Sequence, residues 1–94
     1  MNHQELTTLL RNEVLIFDGA MGTELYRRHI FTNRCFEEIC LSEPSLISAI
    51  HRAYIDAGAD VITTNSFGAN VHSLRKFGFA DRVVSINRRA AELA

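Results

Sequence analysis

Long hydrophobic runs are absent from this chain of 94 residues. No apolar stretch approaches the roughly 20 residues that cross a bilayer, so no membrane partner is expected. An excess of one charge is absent too: 10 Lys and Arg stand against 11 Asp and Glu, for a formal net charge of -1. A basic surface for nucleic acid or for an acidic membrane is therefore not expected. Cysteine is scarce, Cys35 and Cys40 being the only two, and nothing else suggests a disulfide scaffold. Two free thiols suit a reducing cytoplasm. The opening Met1-Asn2-His3-Gln4-Glu5-Leu6 lacks a basic segment followed by an apolar core, so it does not read as a secretory signal. A cytoplasmic location is expected. Internal repeats, low-complexity tracts and linkers are missing as well.

What is there has the balance of a soluble globular protein, 47% hydrophobic and 22% charged. His3 to Arg11, with Leu6, Leu9 and Leu10 on one side, predicts a leading amphipathic helix that Asn12 can end and that covers one end of a sheet. Val14-Leu15-Ile16-Phe17 is too short for a helix and predicts a first strand, buried on both faces as parallel strands are. Thr23 to His29 allows one or two helical turns, and Ile30 to Leu41 is a mixed connection whose Phe31, Cys35, Phe36 and Ile39 pack down. Ser42-Glu43-Pro44 marks a helix start, with proline in the first turn and serine or glutamate able to cap. Leu46, Ile47, Ile50, Ala53, Tyr54 and Ala57 recur at helical spacing as far as Gly58.

Val61 to Asn65 is β-branched and predicts a second strand. An amphipathic helix between two apolar strands implies a right-handed β-α-β crossover. Asn70 can cap a short helix through Phe77, Gly78 breaks it, and Asp81 can cap a last helix carrying Val83, Ile86, Ala90 and Leu93 on one face. The expected class is α/β: two parallel strands with flanking helices, spanning residues 1–94 as the opening portion of a larger architecture. A closed (β/α)8 barrel takes roughly 250 residues, so this is its first quarter or third.

Chemistry is sought at the two strand ends. Asp18-Gly19-Ala20-Met21-Gly22-Thr23 follows the first strand directly, and two glycines three apart permit close backbone approach. Backbone amides there, with a helix start behind them, favour a small carboxylate. An ordinary strand-to-helix turn capped by Asp18 is the bland alternative. Thr63-Thr64-Asn65-Ser66-Phe67-Gly68 tips the balance, because it places polar side chains and an aromatic at the matching end of the next strand. Cys35 and Cys40 with His29 or His51 do not make a convincing zinc set, since a closed site needs four ligands and an open one three. His51 reads as a packed or surface histidine. Arg27-Arg28, Arg75-Lys76 and Arg88-Arg89, balanced by Glu24, Glu37, Glu38, Asp81 and Glu92, read as solvated faces. Phe77 and Phe79 read as helix-end packing rather than a stacking platform.

Three blocks taken together resemble the homocysteine S-methyltransferase domain. They are Asp18 to Thr23, then Glu43-Pro44 with His51 to Asp60, then Thr64-Asn65-Ser66-Phe67-Gly68-Ala69-Asn70, in the order and spacing of that family over Glu13 to Ala94. The wording around Cys35-Phe36-Glu37-Glu38 is similar to bacterial enzymes that fuse this domain to a methylenetetrahydrofolate reductase, and cobalamin-dependent methionine synthases are similar too. The resemblance implies a TIM-type barrel that passes a methyl group to the sulfur of homocysteine, with zinc holding the thiol as thiolate. It implies that the amides of Gly19, Ala20 and Met21 receive the homocysteine carboxylate beside Asp18, and that Thr64, Asn65 and Phe67 line the neighbouring wall. Ser66 stands where many relatives have threonine.

The family's zinc ligands are cysteines of later strands, including an adjacent pair near the domain's end, and nothing in this chain matches them. The resemblance thus implies that the zinc ligands lie elsewhere, that the rest of the barrel is required, and that the chain alone transfers no methyl group. It does not select a donor, folate and cobalamin derivatives being among those that relatives use. Two other readings stay open: a non-catalytic carboxylate-binding or partner-docking β/α module, and a different barrel enzyme with the same turn.

Overall fold

The computed structural model describes all 94 residues, Met1–Ala94. It is helical: α1 (His3–Asn12), α2 (Gly22–Arg27), α3 (Ile39–Ser42), α4 (Pro44–Asp56), α5 (Val71–Arg75) and α6 (Val83–Leu93), with a 3-10 turn at Ala80–Arg82. The α/β expectation is corrected here. Neither Val14 to Phe17 nor Val61 to Asn65 forms a strand, no sheet exists, and no part of a TIM barrel is built. What remains of the expected pairing is one isolated parallel bridge between Phe17 and Val61.

The physical reason is visible in the hydrogen bonds. Val61 N–H donates to the Ile16 carbonyl at 3.1 Å and Asp18 N–H to the Val61 carbonyl at 2.9 Å, which is the parallel pattern for one residue pair. At either end a carboxylate takes over. Ile16 N–H donates to Asp60 Oδ2 at 3.0 Å and Thr63 N–H to Asp18 Oδ2 at 2.9 Å, so the amides that would extend the ladder are satisfied by side chains. With no further strand to cover them, Val14 is 89% and Phe17 63% exposed, the opposite of the expected two-sided burial.

The core lies among the helices instead. Leu25, Ile30, Ile39, Cys40, Ile47, Ile50 and Ala90 form one cluster, and Cys35, Ala69, Leu74 and Ile86 a second. The connection from Ile30 to Leu41 packs down through Ile30, Cys35, Ile39 and Cys40, with α3 at its end, but Phe31 is 46% exposed and lies edge-on to Tyr26 instead. Helix α1 buries none of its residues and covers no sheet. The radius of gyration, 14.8 Å, exceeds the about 12 Å of a compact domain of this length accordingly.

Local rules place some helix ends and miss others. Asn2 and Asn70 cap α1 and α5 by accepting from Glu5 N–H and Ser73 N–H. Pro44 opens α4, although neither Ser42 nor Glu43 caps it; the Glu43 carboxylate pairs with Arg34 instead. Asp81 falls in the 3-10 turn and does not cap α6. Helices α2, α4 and α5 end alike, with a left-handed residue and paired 6→1 and 5→2 bonds: Ile30 to Leu25 and His29 to Tyr26, Ala59 to Tyr54 and Gly58 to Ile55, Phe79 to Leu74 and Gly78 to Arg75. Gly58 and Gly78 take φ of 111° and 81°, but the first motif uses His29 at 68°. No helix is long and apolar enough to cross a membrane.

Candidate functional site

The bridge at Phe17 and Val61 brings the two polar turns side by side. Asp18, Gly19, Met21 and Gly22 from one, and Thr63, Thr64, Asn65, Ser66 and Phe67 from the other, line a cleft of about 370 Å³ whose third wall is Phe36 and Glu37. Of the seven residues singled out in the sequence, six border this cleft. Ala20 does not, because its carbonyl faces α4 and accepts from the Tyr54 hydroxyl at 2.6 Å.

Close approach explains the glycines. Neither Gly19 nor Gly22 has a positive φ. A Cβ on Gly19 would stand 3.0 Å from the Tyr54 hydroxyl, and one on Gly22 3.3 Å from the Phe36 ring. The amides of Gly19, Ala20 and Met21 donate to no acceptor in the chain. Helix α2 behind them has only six residues, so these N–H groups matter more than any macrodipole.

Asn65 is 5% exposed, and its amide is committed inward. Nδ2 donates to the Phe36 carbonyl at 2.8 Å and lies 3.5 Å from Cys40 Sγ, whose S–H in turn donates to the Asn65 carbonyl at 3.7 Å. Thr64 and Ser66 share a hydroxyl hydrogen bond at 2.6 Å. Phe67 is fully exposed at the rim. Asp18 Oδ2 holds Thr63, which fixes its carboxylate at the junction of the two turns.

Two residues read from sequence as packing or surface groups support the site, and a third lies buried behind it. Glu37 accepts from Gly68 N–H at 3.1 Å through Oε2, while Cys35 S–H points to Oε1 at 3.8 Å. Tyr54 supports the first turn; burial, with Glu24 and Asp18 nearby, raises its phenol pKa above the ordinary value. His51, one turn earlier on α4, is 3% exposed with neither ring nitrogen partnered. Burial lowers its pKa, and the Asp18 carboxylate pulls weakly the other way. The helical spacing of α4 marks this face but cannot say that Tyr54 on it reaches the first turn.

The chain's own residues do not fit zinc. Cys35 and Cys40 belong to different cores, burial raises both thiols above their ordinary pKa, and their sulfurs are engaged by Glu37 and Asn65. No three His, Cys, Asp or Glu side chains stand together in a metal-binding group.

Comparison with known proteins agrees with the three sequence blocks. The family model for homocysteine S-methyltransferase matches residues 15–94. The methionine synthase of Mycobacterium tuberculosis (strain ATCC 25618 / H37Rv) is 32% identical over 96 aligned positions, 96% of this chain and 8% of that protein. The methionine synthase of Mycobacterium leprae (strain TN) is similar to the same extent, 32% identical with the same coverage. The chain thus spans less than a tenth of the curated relatives it matches. With its matched region running through both turns and the cleft they enclose, this chain belongs to the homocysteine S-methyltransferase family.

Proposed function

We propose that the chain supplies part of a homocysteine-binding site in a methyltransferase that forms methionine, and that on its own it transfers no methyl group. The observation that carries the reading is the run of three unspent amides, Gly19 to Met21, in the turn whose Gly19 and Met21 border the cleft. They take the substrate carboxylate, with Asp18 beside it and Thr64, Asn65 and Phe67 along the other wall. The cleft lining contains Asp18 and Glu37 but no Lys, Arg or His. A zwitterion suits such a lining better than a bare anion, because its ammonium meets the carboxylates while its carboxylate meets the amides.

Zinc that activates the homocysteine thiol has its ligands outside this chain, and so has the binding site of the methyl donor, a folate or cobalamin derivative among the candidates. A cytoplasmic setting belongs to the same proposal. Calorimetric titration of the 94-residue protein with homocysteine tests the binding half, with saturable binding expected and none refuting it. An assay with zinc, homocysteine and methylcobalamin or methyltetrahydrofolate tests the other half; methionine formation by the isolated chain overturns it.

One observation favours a second, compatible role in docking. Val14, Ile16 and Phe17 are exposed on a segment paired on one side by a single bridge. Such an edge associates with further polypeptide. Sedimentation of the purified protein is expected to show self-association, and a monomer over the whole concentration range counts against this role.

A further inference from the structure

Tyr54 packs against the first core cluster, but its hydroxyl serves neither that core nor the substrate contacts proposed above. Its ring sits against Gly19 so closely that a Cβ there would lie 3.0 to 3.4 Å from the phenol atoms. Its hydroxyl donates to the Ala20 carbonyl at 2.6 Å, a short bond between residues 34 apart in sequence. The peptide that carries this carbonyl also carries the Met21 N–H, and the chain contains no cis peptide bond. In a planar trans peptide the C=O and N–H point in opposite directions. Anchoring the carbonyl on Tyr54 therefore turns the Met21 amide away from α4, and Met21 and Gly22 are the residues of this turn that border the cleft beyond Ala20.

We infer that Tyr54 is a positioning residue for carboxylate recognition: its hydroxyl fixes the Ala20-Met21 peptide so that the Met21 N–H is held ready for the ligand. The inference rests on the proposed homocysteine reading of the cleft. Tyr54 itself touches no substrate. Its effect reaches only ligands that use the Met21 amide, which separates it from a residue that merely holds α4 in place. Pre-ordering the peptide removes a reorganisation cost that binding otherwise bears.

The test compares two ligands and two proteins. Homocysteine and 3-aminopropane-1-thiol, which is homocysteine without its carboxylate, are titrated calorimetrically into the 94-residue protein and into Tyr54→Phe. Loss of one neutral hydrogen bond corresponds to about three- to tenfold weaker homocysteine binding, with the aminothiol unchanged. Equal binding of homocysteine by both proteins overturns the inference, and so does an equal loss for both ligands, which marks a general structural effect. If the unsubstituted protein binds no homocysteine, the site reading itself fails and the inference falls with it. A second measurement needs no variant: the Met21 amide resonance of the unsubstituted protein moves when homocysteine is added and stays with the aminothiol. A Met21 amide indifferent to bound homocysteine overturns the inference even where Tyr54→Phe folds poorly.

Discussion

The Gly68 N–H donates to Glu37 Oε2 at 3.1 Å, and a Cβ on Gly68 would stand 3.0 Å from Oε1 of the same carboxylate. Together with the Asn65 amide on the Phe36 carbonyl, this ties the second cleft turn to the chain ahead of α3. Glu37→Ala and Gly68→Ala each break the same charge-assisted contact. Each is expected to cost about 1–3 kcal/mol in urea unfolding, and the double variant little more than either alone. Additive losses would show that the two residues act independently.

Asn65 is the polar residue whose replacement discriminates best between packing and hydrogen bonding. Asn65→Ala leaves the partly buried Phe36 carbonyl without its donor, at about 1–3 kcal/mol. Asn65→Asp adds an unpaired carboxylate at nearly the same shape and is expected to be worse at pH 7. The gap between the two variants should close as the pH is lowered and the new carboxyl is neutralised. A pH-independent gap in their urea midpoints would refute the account.

His51 gives the fold an acid sensitivity whose direction follows from its environment. Burial without partners lowers its pKa from the ordinary 6.5, with Asp18 opposing weakly. The unfolded chain then binds the proton more readily than the folded one. The neutral ring's contribution is complete above about pH 6.5 and is lost as the pH falls from there towards the lowered folded value. His51→Phe should remove that part of the pH dependence while the remainder of the curve persists. Unfolding free energies at several pH values check this, and identical slopes in both proteins would sink it.

His29 closes α2 at φ 68°, where Gly58 and Gly78 do the same work for α4 and α5. A left-handed residue with a side chain costs roughly 1–2 kcal/mol relative to glycine. His29→Gly is therefore expected to stabilise by about 1 kcal/mol and Gly58→Ala to destabilise by a similar amount. Thermal midpoints moving in opposite directions confirm the shared geometry; a neutral His29→Gly denies it.

The features legible beforehand depend on few neighbours. Asn70 caps, Pro44 opens a helix and Gly58 ends one because each acts on backbone groups within a turn of itself. The two polar turns are equally readable, since glycine spacing and residue type mark them directly. The residues that buttress them are not. Glu37 has the composition of a solvated charge and Tyr54 the spacing of a core position, and only the packing of α4 and the run before α3 against the turns reveals what each holds.

The sequence by itself determined the family, several helix ends and the two polar turns that border the cleft, because motif order, capping and turn chemistry are written in short stretches of chain. Tertiary structure alone decided the rest: that the two β-prone segments meet at one bridge instead of forming strands, that the core lies between helices, and that Ala20 turns to Tyr54. A β-propensity is a local preference, whereas a ladder needs backbone partners on a neighbouring segment. Here those amides meet the carboxylates of Asp18 and Asp60 first.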